Sequence, residues 1–200
     1  MIAIIDYGAG NIFSVKNALD YLGVENKLTA DKNEICAADE IILPGVGAFP
    51  WAMKMLRDSG LVDTIREEAR KKPFLGICLG MQLIFDKGYE FEETDGLRLI
   101  GGKVEKIDRK DMIIPHMGWN ELEINRDCPI LKSLPEHPYV YFVHSYAAVC
   151  DEANVSAYCD YGGKITALVH DGAYVYGAQF HPEKSGEVGL QMLRNFAELA

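Results

Sequence analysis

A cysteine flanked symmetrically by glycines stands at Gly76-Ile77-Cys78-Leu79-Gly80. A thiolate attacks carbonyl and amide carbons well, provided that it stands clear of the backbone. The spacing is the cysteine counterpart of the G-x-S-x-G elbow, in which a very tight strand-to-helix turn lifts the nucleophile above a sheet edge. Small residues two positions away on either side let the backbone come close. The N-terminus of the helix that follows favours the negative sulfur. A free cysteine is most often a small buried hydrophobe, but that reading leaves the paired glycines unexplained. Cys36, Cys128, Cys150 and Cys159 lack such surroundings and are read as structural.

A thiol nucleophile needs a histidine base, at any distance along the chain. Of the five histidines, His181 has the most informative neighbours, in Gln179-Phe180-His181-Pro182-Glu183-Lys184. Pro182 biases His181 towards an extended backbone. Residues two apart on an extended chain project to the same side, so Glu183 is expected to reach the His181 ring, fix its tautomer and stabilise the imidazolium. Taken alone, the string reads equally well as a surface turn. Beside the cysteine elbow, the catalytic reading is preferred.

Acyl chemistry also needs N–H groups aimed at a developing oxyanion. Pro44-Gly45-Val46-Gly47 follows the apolar run Ile41-Ile-Leu43, and its glycines can bring amides close or turn a peptide over at little steric cost. An ordinary strand-ending turn is the alternative. Gln82 lies one helical turn after Cys78 and points along the same face. His144-Ser145-Tyr146 offers further polar groups at a strand end, where ligands of open α/β sheets bind. Gly8-Ala9-Gly10 resembles a dinucleotide loop only loosely, because Phe13 stands where the third glycine belongs; no cofactor is expected.

These groups need a scaffold. The first half alternates buried strands (Ile2–Ile5, Val24–Leu28, Glu40–Leu43, Phe74–Ile77) with helices. Ile12, Val15, Leu19 and Leu22 share one helical face, with Asn11 as N-cap and Gly23 as stop. Leu61, Ile65 and Ala69 mark a second helix, and Leu79–Phe85 a third. Strand–helix repetition with short connections implies a parallel sheet covered on both faces. The second half is richer in strands, at 103–107, 121–124, 140–143, 165–169 and 174–180, before a last helix over 186–199 capped by Ser185. The fold class is therefore α/β: one domain over residues 1–200, with a mostly parallel central sheet, helices on both faces and an antiparallel extension.

Composition agrees. The chain has 200 residues, 48% hydrophobic and 25% charged, which suits a globular domain. A net charge of −10 leaves little dense basic surface for a phosphate backbone, so nucleic acid is not an expected partner. Five cysteines without a CxxC pair fit neither a fully paired disulfide framework nor a zinc cage. Met1-Ile-Ala-Ile-Ile-Asp6 has no basic start, and no run reaches the ~18 apolar residues of a membrane span. The expected location is a reducing cytosol, without a membrane partner.

Gly76–Gln82, Pro44–Gly47 and Gln179–Glu183 together resemble the signature of class I glutamine amidotransferases, whose fold is flavodoxin-like. Asp6-Tyr-Gly-Ala-Gly-Asn11, Pro115-His-Met-Gly-Trp-Asn120 and Val143-His-Ser-Tyr146 narrow this to the family's glutaminase subunits that serve histidine biosynthesis. The similarity runs from Met1 to the last helix. It implies Cys78 as nucleophile, His181 as acid and base, and Glu183 as its orienter. It further implies an oxyanion site from the amides of Val46, Gly47 and Leu79, and glutamine binding by Gly47, Gln82, Ser145 and Tyr146. It implies a (β/α)8-barrel cyclase subunit as heterodimer partner, met through His116, Met117, Trp119, Asn120, Tyr141 and Lys184, and a glutaminase that is weak until acceptor binds that partner. Pro50-Trp51 and Gly101-Gly102 depart from the family pattern and put local loop geometry in question. The competing readings are a glutaminase feeding another amidation pathway, a stand-alone cysteine hydrolase and an inert interaction subunit.

Overall fold

Aliphatic side chains at every position of Ile2–Ile5 require a strand buried on both faces, which is the signature of a parallel sheet. The computed structural model describes residues 1–200. It contains, in chain order, β1 (Ile2–Ile5), α1 (Ile12–Tyr21), β2 (Asn26–Thr29), α2 (Lys32–Ala37), β3 (Glu40–Gly45), α3 (Phe49–Asp58), α4 (Val62–Glu68), β4 (Phe74–Cys78), α5 (Leu79–Leu83), β5 (Lys87–Gly88), β6 (Thr94–Asp95) and β7 (Gly102–Lys106). There follow β8 (His116–Glu121), β9 (Glu123–Ile124), β10 (Tyr139–His144), β11 (Tyr146–Cys150), β12 (Val155–Asp160), β13 (Lys164–His170), β14 (Val175–Ala178) and α6 (Gly186–Ala197).

The central sheet has eight strands in the order β2-β1-β3-β4-β14-β13-β12-β9. Its first five strands are parallel, and β13, β12 and β9 extend it antiparallel. Alternate side chains feed two cores. Ile2, Ile4, Leu75 and Ile77 pack with α1 and α6 on one face. Ile41, Leu43 and Phe74 pack with α3, α4 and α5 on the other. Each fully buried aliphatic or aromatic side chain contributes about 1.5–3 kcal/mol, so both cores hold the sheet that carries the site. No helix is long and apolar enough to cross a membrane.

Several details differ from the sequence reading. β3 does not stop before Pro44-Gly45 but runs through them, pairing Gly45 with Cys78. The pair Pro50-Trp51 is no loop irregularity: Pro50 sits in the first turn of α3, where a missing N–H costs nothing. Phe49, Ala52, Met53 and Leu56 supply that helix's buried face, while Trp51 points outward. The expected strand over 121–124 is split between β8 and β9, which lie in different sheets. β8 pairs with β10 in a separate two-stranded ribbon, and β11, β7, β5 and β6 form a third sheet.

Candidate active site

The elbow forms because three glycines pack where no side chain fits. A Cβ on Gly76 would lie 2.6 Å from the Gly80 carbonyl oxygen, one on Gly80 1.8 Å from that of Leu43, and one on Gly45 2.8 Å from the Gly80 nitrogen. The backbone therefore turns from β4 straight into α5, with Cys78 at φ 55° and ψ −110°. For a residue with a Cβ this conformation costs about 1–3 kcal/mol, and the packed turn enforces it. The Cys78 sulfur lies 4.0 Å from the Val143 carbonyl oxygen and 3.9 Å from Gln179 Nε2.

His181 arrives from the far end of the chain. Its N–H donates to the Tyr141 carbonyl at 3.0 Å. Ser185 Oγ donates to the His181 carbonyl at 2.6 Å and accepts from the Tyr141 N–H at 3.0 Å. Ser185 stands at the N-cap position of α6 as the sequence predicts, but its side chain makes no cap bond and serves instead as a clamp between β10 and the histidine segment. Glu183 Oε1 stands 2.8 Å from His181 Nδ1, with both side chains almost wholly buried. Residues Pro182–Lys184 form a 3-10 turn, so this turn, rather than strand alternation, brings the carboxylate back. A carboxylate only accepts, which puts a hydrogen on Nδ1. The other ring nitrogen, Nε2, has no hydrogen-bond partner, and His181 and Cys78 line the same cleft. Burial pushes the His181 pKa down, but the adjoining Cys78 sulfur and Glu183 carboxylate outweigh it and hold it up at about 9. A thiol, an imidazole whose cationic form is stabilised, and a carboxylate in that order can cleave an amide by covalent catalysis.

The cleft encloses about 390 Å³, and Val46, Gly47, Leu79, Gln82, Ser145 and Tyr146 line it with the two reactive side chains. The loop after β3 stands opposite Cys78, with Gly47 at φ 100°. Gln82 Nε2 donates to the Tyr146 carbonyl and to Gln179 Oε1, both at 3.0 Å. Both its hydrogens are spent, so its carbonyl end remains for a donor. Two contributors were not picked out in the sequence. Gln179, fully buried, links Gln82 to the sulfur; the only signal was its place two residues before His181. Glu90 brings a carboxylate to the cleft wall while accepting the Phe49 N–H at 2.8 Å; nothing near it in sequence pointed there. A larger open basin of about 1220 Å³ beside α3 and α4 contains neither Cys78 nor His181. Its Arg57 and Arg66 are bonded to backbone carbonyls.

The residues expected at a partner surface divide. Met117 and Trp119 are 61% and 56% exposed on β8, and Tyr141 faces Trp119 across the ribbon with ring centroids 6.2 Å apart. Lys184 is exposed. Asn120 is half-buried, and its Nδ2 donates to the Asp160 carbonyl. His116 is a correction: it is only 2% exposed, because strand alternation turns it inward while Met117 and Trp119 turn out. All five cysteines are free thiols. No group of three or more His, Cys, Asp or Glu side chains is arranged to hold a metal ion.

Residues 3–199 match the sequence family described as Glutamine amidotransferase class-I. The chain belongs to the class I glutamine amidotransferases. Among relatives of this amidotransferase, an imidazole glycerol phosphate synthase subunit HisH of Listeria monocytogenes serotype 4a (strain HCC23) is 49% identical over 201 residues, covering 100% of this chain and 96% of its own. The subunit of the same name from Bacillus cereus (strain G9842) is 51% identical over 197 residues, 98% of this chain and 93% of its own. A solved glutamine amidotransferase superposes with a TM-score of 0.77 at 23% identity over 100% of this chain and 98% of its own. The PurLQS structure from Thermotoga maritima does so with 0.74 at 22% identity, over 98% and 96%. At those identities the solved structures speak for the fold alone.

Proposed function

We propose that this chain is the glutaminase subunit of imidazole glycerol phosphate synthase, with Cys78 as nucleophile, His181 as acid and base, and Glu183 as orienter. One observation carries the chemistry: Glu183 occupies one nitrogen of His181 at 2.8 Å while the other is left without a partner in a cleft shared with Cys78. The full-length likeness to HisH subunits favours this acceptor pathway over a related one.

The Cys78 sulfur attacks the side-chain amide carbon of glutamine, forming an S–C bond. The amides of Val46, Gly47 and Leu79 face the oxyanion. His181 gives its proton to the departing nitrogen as the C–N bond breaks and ammonia leaves. Water then attacks the thioester, His181 takes a proton from it, and the S–C bond breaks to release glutamate and return the Cys78 thiolate beside the protonated ring. Gly47, Gln82, Ser145 and Tyr146 hold the amino acid end.

Ammonia released into water is mostly protonated and is then no nucleophile, so it has to pass directly to its acceptor. The partner is a (β/α)8-barrel cyclase subunit that uses it to form imidazole glycerol phosphate and aminoimidazole carboxamide ribotide. Met117, Trp119, Asn120, Tyr141 and Lys184 form the docking face of the resulting cytoplasmic heterodimer, and rearrangement of the Gly45–Gly47 peptides is the switch. The test measures glutamine hydrolysis by the chain alone, with cyclase, and with cyclase plus acceptor, alongside mass spectrometry after a glutamine-mimicking electrophile. Activation by partner and acceptor with an adduct on Cys78 is expected. Full activity in the isolated chain points to a stand-alone hydrolase and overturns the subunit reading.

The titration of His181 gives a second expectation. Its pKa is raised above 6.5 to about 9, so the ring keeps the proton that ammonia needs until about pH 9. The kcat/KM for glutamine should fall above that pH. Glu183→Gln removes one support of the imidazolium, so the falling limb should move to lower pH and turnover should drop on the order of 10²–10⁴-fold. A limb that stays in place in the variant would show that Glu183 does not tune the ring. The same shift stabilises the fold fully below pH 6.5 and ceases to do so as pH rises through about 9.

A further inference from the structure

His116 and His144 have no part in the chemistry above, yet they form a buried, hydrogen-bonded histidine pair. They lie 28 residues apart in sequence and meet as direct cross-strand partners of β8 and β10. Both are buried, at 2% and 6% exposure. His116 Nδ1 stands 3.0 Å from His144 Nε2, and His144 Nδ1 stands 2.8 Å from the Tyr146 carbonyl oxygen.

The direction of the chain of bonds follows from the last acceptor. A carbonyl only accepts, so His144 Nδ1 carries the hydrogen. In a neutral ring His144 Nε2 is then an acceptor, and His116 Nδ1 must donate to it. The chain therefore runs His116 to His144 to Tyr146, and it requires the His144 ring to be neutral, whereas His116 donates from Nδ1 in either charge state. Burial holds both pKa values down at about 4, so that requirement is met at neutral pH. The His116 ring is itself fixed: it stacks on Phe142 at 4.7 Å between centroids and on Tyr161 at 3.9 Å.

The far end of the chain is a cleft wall. The Tyr146 carbonyl accepts a second N–H, from Gln82 Nε2 at 3.0 Å. Two donors from unrelated elements, the β8–β10 ribbon and α5, thus converge on one carbonyl beside the Ser145–Tyr146 backbone. Loss of either leaves that carbonyl with one donor in place of two and loosens its position relative to Gln82.

We propose that His116 and His144 are positioning residues for the amino acid end of glutamine: they fix the Tyr146 carbonyl, which in turn fixes Gln82. The inference rests on the glutaminase reading, and it assigns His116 an effect on binding rather than on bond breaking. Two variants separate the hydrogen bond from the stack. His116→Phe keeps an aromatic ring between Phe142 and Tyr161 but removes the donor. His116→Asn keeps an N–H near the Nδ1 position and gives up most of the stacking.

In the complex with cyclase and acceptor, His116→Phe should raise KM for glutamine about tenfold, the equivalent of about 1.4 kcal/mol in binding. Its kcat should change by no more than about twofold, and His116→Asn should recover most of the KM. Carbamidomethylation of Cys78 by iodoacetamide, which does not need the glutamine site, should proceed at the wild-type rate in both. An unchanged KM in His116→Phe overturns the proposal, as does a parallel loss of kcat and melting temperature in both variants. Should a variant not fold, ¹⁵N NMR of the wild-type imidazoles decides: both rings should be neutral Nδ1–H tautomers at pH 7, and a charged His144 or an Nε2–H tautomer on either ring overturns the relay. A wild-type complex that hydrolyses no glutamine would instead overturn the glutaminase reading itself.

Discussion

Cys78→Ala is expected to lower glutamine turnover by a factor on the order of 10⁴–10⁶ while leaving glutamine binding within a few-fold of wild type. The magnitude is that of removing a nucleophile from a set of groups that act as a unit. Without the sulfur no thioester forms, and His181, still paired with Glu183 at 2.8 Å, has no covalent intermediate to hydrolyse. The proposed binding groups Gly47, Gln82, Ser145 and Tyr146 line the same cleft, and Gln82, which reaches the sulfur through Gln179, keeps its bond to the Tyr146 carbonyl when the thiol is gone. Isothermal titration with glutamine and a coupled assay for glutamate measure the two effects. If the proposed subunit reading holds, a complex of the variant with the cyclase should still use ammonia supplied directly, because that reading puts the acceptor chemistry on the other subunit. Residual turnover within about tenfold of wild type would rule out covalent catalysis by Cys78.

Gly80→Ala should remove a large share of the stability of the fold. The added Cβ would lie 1.8 Å from the Leu43 carbonyl oxygen and 2.9 Å from its carbonyl carbon. Neither atom can retreat. Leu43 belongs to β3, which is held between β1 and β4 near the centre of the sheet, and its residue pairs with Gly76 directly beneath the elbow. Overpacking against backbone in a fixed strand falls among the rare large effects, about 4–5 kcal/mol or more, against a total stability of about 5–15 kcal/mol for a domain. The measurement is the urea midpoint, or the soluble fraction if folding fails outright. Gly23→Ala is the control. A Cβ there meets nothing within 4 Å, and only its φ of 71° opposes the change, so a loss of about 1 kcal/mol is expected. Equal losses at the two positions would mean that crowding at the elbow is not what the glycine relieves.

The residues of the candidate site were legible in the sequence because each steric demand left a local mark. The symmetric glycines around Cys78 record the close approach of β3, β4 and α5. The continuous apolar runs of β1, β3 and β4 record burial on both faces. The periodic stripe of α1 and its Gly23 stop were read correctly for the same reason. Helix α3 was missed although its buried positions have helical spacing, because Pro50 was weighed as an irregularity rather than as a first-turn residue. In the second half the strands sort into three sheets, and pairing between strands far apart in sequence leaves no period to read.

By itself the sequence determined the family, the α/β class and the parallel core, and it singled out the sulfur, imidazole and carboxylate that the fold gathers at the candidate site. Those features follow from steric and solvation requirements that act within a few residues of each position. Only the tertiary structure decided that a 3-10 turn carries Glu183 back to His181, and that Ser185 clamps that segment to β10. It alone turned His116 from a surface candidate into the start of a buried relay to Tyr146. These are hydrogen bonds and ring contacts between groups whose separation is set by sheet pairing and strand facing, and neither is written in the neighbours of any one residue.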